Sequence, residues 1–162
     1  MDLNSLYEEK LFSKWSTIIF TIFTVLFLGL TVYQIFIGPL GDNKAPTWLL
    51  GLIFFLFLLF TINFSFMTLK LTPEFLSVRF GVLSYSVSWE NIEKCYREEV
   101  PLWTYGGWGI RFEKSKGERR LAYTVPQTPQ LTILLKNKNF REFIFSTRKP
   151  DKVMELVEKM IV

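Results

Sequence analysis

The stretch APTWLLGLIFFLFLLFTINFSFMTL, Ala45 to Leu69, carries no Asp, Glu, Lys, Arg or His in 25 residues and lies between Lys44 and Lys70. A helix needs about 20 apolar residues to cross the hydrocarbon core of a bilayer, so this run suffices with some tilt. Its apolar residues follow no 3.6-residue stripe. A soluble amphipathic helix shows one, whereas a helix with lipid on most sides does not.

Upstream, Trp15 to Ile37 gives another 23 uncharged residues. A secretory signal has a basic start, a shorter apolar core and a small-residue cleavage site. Here the preceding segment contains Asp2, Glu8 and Glu9, and no Ala-x-Ala-like site follows. The run reads as a retained first span. Between the two, Gly38-Pro39-Leu40-Gly41-Asp42-Asn43-Lys44-Ala45-Pro46 is rich in turn formers and makes a connecting loop. Trp15, Tyr33 and Trp48 stand near span ends, where aromatics favour the headgroup level.

The expected organisation is an N-terminal segment over 1–14, a transmembrane hairpin over 15–69 (spans 15–37 and 46–69), and a folded domain over 70–162. Charge orients it. Residues from Lys70 onward hold 16 Lys+Arg against 11 Asp+Glu, and those before hold 3 against 4. Lys10 and Lys14 precede the first span, and the loop has only Lys44. The positive-inside rule then puts both termini in the cytoplasm and the short loop outside, and the expected location is the cytoplasmic membrane.

After Leu69 the pattern changes to period two. Leu76, Val78 and Phe80 share one face of a predicted strand, and Tyr85, Val87 and Trp89 alternate with Ser84, Ser86 and Ser88. Such runs are half-buried antiparallel strands. Stretches near 92–99, 107–113, 119–125, 131–136 and 140–146 continue the series between Gly, Pro and Asn breaks. Pro150 and Asp151 then open a helix whose Val153, Leu156, Val157, Met160 and Ile161 form one apolar stripe. Seven or eight strands and one amphipathic helix predict an α+β domain, a small barrel or roll with the helix across its open end.

In order and spacing, LTPEFLSVRFG (Leu71–Gly81), VSWENIEK (Val87–Lys94), GGWGIR (Gly106–Arg111) and FSTRKPDKVMELV (Phe145–Val157) resemble bacterial PH-like domain proteins anchored by an N-terminal pair of membrane helices. The resemblance covers most of the chain. It implies the split antiparallel barrel of PH domains, closed by a C-terminal helix, and it implies no reaction. PH domains of eukaryotes often hold phosphoinositides with Lys and Arg around the first hairpin loop. Here that loop is Thr72-Pro73-Glu74, short and acidic, with Lys70 and Arg79 flanking it at a distance, so lipid-headgroup binding is not carried over.

The residues themselves bound the function. The chain has no histidine and a single cysteine, Cys95, which removes the commonest general base, Ser-His and Cys-His nucleophiles and Cys-rich metal sites. No phosphate-cradling glycine motif is present. The domain is too weakly basic to indicate nucleic acid without a reading motif. Glu90, Glu93, Glu98 and Glu99 are interspersed with Lys94 and Arg97, which reads as cross-strand ion pairing. The expectation is therefore a protein without enzymatic activity, cofactor, metal or small-molecule substrate.

Two stretches are candidate contact sites. Arg111, Lys114, Lys116, Arg119 and Arg120 form the densest basic cluster. It reads either as a contact with anionic lipid or as a solvated hairpin loop. Trp103 and Tyr105, among Gly106, Gly107 and Gly109, read either as contacts to a partner or the bilayer interface or as packing at the barrel mouth. The functional expectation is a membrane-tethered interaction module whose partner is a membrane protein, a second copy of itself or the lipid surface. The alternative is an envelope-homeostasis or membrane-complex assembly subunit whose spans carry the contact, through Thr21, Thr24, Gly29, Thr31, Gly51 and Ser65.

Overall fold

A computed structural model describes residues 5–38, 46–98, 109–115, 118–136 and 139–161. The chain forms two compact units, one of Lys14–Ser65 and one that joins Met1–Ser13 to Phe66–Val162.

The first unit is a pair of helices, α1 (Lys14–Phe36) and α2 (Thr47–Phe64). At 1.5 Å per residue they are about 34 and 27 Å long, close to the thickness of a hydrocarbon core. Both are long and apolar enough to cross a membrane, and each buries only 6% of its most apolar window. A core helix of a soluble protein would bury most of that surface. The two helices meet along an aromatic seam. Phe57 stacks on Phe23 and Phe27 at 5.0 and 5.5 Å, and Phe20 packs between Phe57, Phe60 and Phe64. Within the seam the hydroxyls of Thr24 and Thr61 lie 3.2 Å apart, and their two protons are divided between this contact and the carbonyls one turn back, Phe20 and Phe57.

The second unit holds nine strands among the described residues, in two sheets. The first sheet is antiparallel in the order β1 (Tyr7–Phe12), β2 (Phe66–Leu71), β3 (Phe75–Phe80), β4 (Leu83–Ser88). Two boundaries differ from the sequence expectation. Residues 66–69, read as the end of the second span, are strand. Met67, Leu69 and Leu71 are buried and alternate with Phe66, Thr68 and Lys70. The apolar run hid this alternation, because Phe66 and Thr68 are uncharged. Likewise the N-terminal segment supplies β1, paired to β2 from Tyr7↔Leu71 to Phe12↔Phe66.

The expected faces of β3 and β4 are present. Leu76, Val78, Phe80, Val87 and Trp89 are buried, Tyr85 is half-buried, and Ser84 and Ser86 are exposed. Gly81, at φ 51°, supplies the left-handed residue that a two-residue hairpin loop requires. The Thr72 hydroxyl receives the Phe75 N–H and donates to the Phe75 carbonyl, closing the β2–β3 turn. A single 3-10 turn, Trp89–Asn91, leads out of β4, and the Trp89 indole N–H donates to the Thr72 carbonyl at 3.0 Å.

The second sheet runs β5 (Ile92–Glu98), β8 (Gln130–Leu135), β9 (Glu142–Ser146), β7 (Glu118–Thr124), β6 (Gly109–Ser115). The strand series reads as antiparallel throughout, yet β7 and β9 are parallel. The chain leaves β7, skips one position to lay down β8, and returns with β9 in the gap. No ladder joins the two sheets among the described residues, so the strands form two sheets and not a closed barrel. Their apolar faces pack on each other through Phe80 against Tyr123 (6.0 Å) and Tyr85 against Phe143 (4.8 Å). Helix α3 (Pro150–Ile161) lies against β5, β8 and the 3-10 turn, burying Val153 and Val157, with Pro150 at its first position as expected.

Candidate functional site

The basic cluster of the sequence falls on the β6–β7 hairpin, and the ladder divides it. Period two places residues 112 and 114 on one face and 111 on the other. The register sets Lys114 opposite Arg119 and Phe112 opposite Leu121. Lys114 and Arg119 therefore share a face. Together with Phe112 and Phe140 they line an open groove of about 340 Å³. The two rings sit 5.7 Å apart, and Phe112 is 73% exposed.

Arg111 and Arg120 belong to the opposite face. The Arg111 guanidinium donates to the Thr124 hydroxyl at 3.2 Å. Arg120 Nε contacts Glu142 Oε2 at 2.6 Å, with both side chains largely buried. These two arginines hold β7 to its neighbours. Only half of the described cluster is left as a surface.

Like charges placed directly opposite in a ladder repel, so Lys114 and Arg119 favour an anion between them. The adjoining rings add exposed apolar surface, which suits a partner having both character types. No family model, curated protein or solved structure matches this chain. Its own residues carry the functional reading. Trp103, Tyr105 and Lys116, the remaining candidate contacts, lie outside the described residues.

Among the described residues the carboxylates of β5 do not gather into a site. Glu93 pairs with Arg141 at 2.9 Å, and Arg97 reaches Asp151 of α3 at 3.9 Å. The expectation is pairing from strand to strand; these two pairs run instead to Arg141, just before β9, and to helix α3. Among the described residues no three Cys, Asp or Glu side chains are grouped to hold a metal. Cys95 is 4% exposed beneath α3, and burial, with Glu158 nearby, pushes its thiol up to about 12. A thiol held protonated there is a packing group.

Sequence reasoning missed a second polar surface. The outward face of the first sheet carries Glu8, Thr68, Lys70, Ser77, Arg79, Ser84 and Ser86 beside Phe75, around an open cavity of about 520 Å³. It was hidden because Glu8 belongs to a strand not expected in the N-terminal segment. The alternation of Tyr7, Glu9 and Leu11 with Glu8, Lys10 and Phe12 was the available signal.

Proposed function

We propose that this protein is a two-span integral membrane protein that holds a PH-like, non-enzymatic interaction module at the inner face of the cytoplasmic membrane. The observation that carries the reading is the pairing of β1 with β2. One residue, Ser13, separates β1 from α1, and one residue, Ser65, separates α2 from β2. A continuous ladder between the two strands requires the start of α1 and the end of α2 to emerge on the same side. A hairpin of two spans meets that requirement, and the excess of basic residues after Lys70 favours the cytoplasm for that side.

The PH-like reading is supported by a run of consecutive antiparallel strands, a second sheet packed on the first, and a C-terminal amphipathic helix. The tethered unit needs only weak contacts, because anchoring beside the bilayer raises its effective concentration for membrane-bound partners. The groove of Phe112, Lys114, Arg119 and Phe140 is its contact surface for an acidic segment of a membrane protein partner or a second copy.

Membrane integration is tested by alkaline carbonate extraction of the full chain, which must leave it in the pellet. Sidedness is tested with a cysteine placed at the exposed Glu155 in a Cys95→Ala background. A membrane-impermeant maleimide should leave it unlabelled in intact cells and label it after lysis. Labelling in intact cells overturns the orientation.

A second reading, in which the helices choose the partner, is favoured by Gly29 and Gly51. A Cβ added at either glycine meets nothing within 4 Å, so the α1–α2 seam does not use them and close approach by another helix remains open. Replacing both spans with foreign ones, with partner capture as readout, separates the two readings.

A further inference from the structure

The four-stranded sheet has one rim that covalent connection ties to the membrane helices. Phe12 and Phe66 end and begin their strands as a directly opposed pair, each two residues from a helix terminus and so within about 8 Å of it. Their rings, 5.2 Å apart, point to the outward face and are about half exposed. The β3–β4 turn reaches the same rim, since Phe80 pairs with both Met67 and Leu83. At this turn Val82 is 81% exposed, and Leu83 is exposed beside it. Four apolar side chains thus line a single edge.

The charges of the outward face are graded from that edge. The row next to the rim reads Lys10, Thr68, Arg79 and Ser84 across the four strands, with two cations and no acid. The row beyond reads Glu8, Lys70, Ser77 and Ser86, where the acid offsets the cation. The Lys10 ammonium sits 4.4 Å from the Phe66 ring centre, which joins the cationic row to the apolar rim. Lys10 and Arg79 stand two strand spacings apart, about 10 Å, with the Thr68 hydroxyl between them. Both cations thus flank one hydroxyl on the same face and in the same row.

An apolar rim at a span end, followed by a net positive row with hydroxyl donors, matches the order met on leaving a bilayer: acyl boundary, then phosphate. We propose that this rim seats the domain on the membrane by holding an anionic phospholipid. Lys10, Arg79 and Thr68 bind the phosphate while Phe12, Phe66 and Val82 lie among the upper acyl carbons. The site differs from the β6–β7 groove and depends on the N-terminal strand for half of its charge. It rests on the membrane anchoring proposed above.

The full chain is placed in nanodiscs of phosphatidylcholine with 30% phosphatidylglycerol, and the lipids retained on detergent extraction are weighed by native mass spectrometry. Wild type should retain phosphatidylglycerol preferentially. Lys10→Ala and Arg79→Ala should each lower that preference about fivefold, while the pair Lys10→Arg with Arg79→Lys keeps it. Millimolar glycerol phosphate should fail to displace the lipid, since it lacks acyl chains for the rim. A preference unchanged in the alanine variants, abolished instead by Lys114→Ala with Arg119→Ala, or competed by glycerol phosphate overturns the proposal. Carbonate extraction of the cell membranes from which each variant is purified keeps the outcomes apart. Loss from the pellet means the anchoring fails, whereas retention without lipid preference means only the seat fails.

Discussion

Glu9 and Thr147, 138 residues apart, are joined by a 2.7 Å hydrogen bond from the threonine hydroxyl to the carboxylate. The same carboxylate receives the Tyr7 hydroxyl at 2.9 Å and the Arg148 backbone N–H at 3.1 Å. One side chain on β1 therefore gathers the segment that leads into α3. The N-terminal strand is built into the domain through this contact as well as through its ladder.

Replacing Glu9 by Ala should destabilise the domain by about 1–3 kcal/mol, because hydrogen bonds to a charged acceptor exceed neutral ones and Thr147 is fully buried. Glu9→Gln should cost less. The check is urea unfolding of the detergent-solubilised chain, followed by tryptophan fluorescence. An Ala variant as stable as wild type would show that the ladder alone holds β1.

Leu11 is the fully buried apolar residue of β1. Leu11→Ala should cost about 2–5 kcal/mol, the range for a large core residue, and should make the N-terminal segment protease-sensitive. An N-terminal segment that merely led into a span would show neither effect.

Cys95 should report on folding. Its thiol is buried and keeps its proton at pH values where an unfolded chain, near 9.0, releases it. Deprotonation therefore favours the unfolded form, and stability should fall as pH rises from 9 toward 12, by up to about 1.4 kcal/mol per pH unit. Below pH 9 the thiol contributes no slope. Cys95→Ala should remove this component while leaving the later alkaline phase of Tyr7, Tyr85 and Tyr123, whose hydroxyls burial raises above 10.0. At neutral pH, maleimide labelling of Cys95 should be slow on either side of a membrane, so sidedness must be read from an exposed cysteine.

Arg120 and Glu142 form the pair whose loss should be most costly in the second sheet. Arg120→Ala leaves a largely buried carboxylate without its cation and should cost about 3–5 kcal/mol. The double change Arg120→Met with Glu142→Leu should recover most of that loss. Denaturation midpoints of the single and double variants measure it. A single variant no worse than the double would mean that water already satisfies Glu142.

Within the helical pair, Thr24→Val should weaken association by about 0.6 kcal/mol, the average for hydrogen bonds between spans. Phe57→Ala should cost more, since its ring meets Phe20, Phe23, Phe27 and Phe60. Thermal aggregation of the purified protein ranks the two variants. A Thr24→Val effect as large as that of Phe57→Ala would overturn this ranking.

The chain by itself determined what depends on near neighbours. Uncharged length marked α1 and α2, period two gave the buried faces of β3 and β4, and the 3.6-residue stripe with Pro150 gave α3. Each signal is written within a dozen or two dozen residues, where side-chain spacing alone decides which face meets water. The tertiary structure decided which distant segments pair. Tyr7–Phe12 finds Phe66–Leu71 across the whole helical pair, and β9 enters between β7 and β8, because ladders form between any edges that a turn or a pair of helices brings together. Register then parted Arg111 and Arg120 from Lys114 and Arg119, and it set Lys10 in line with Arg79. A row across four strands has no counterpart along the sequence, since its members lie on separate strands that backbone hydrogen bonds set side by side.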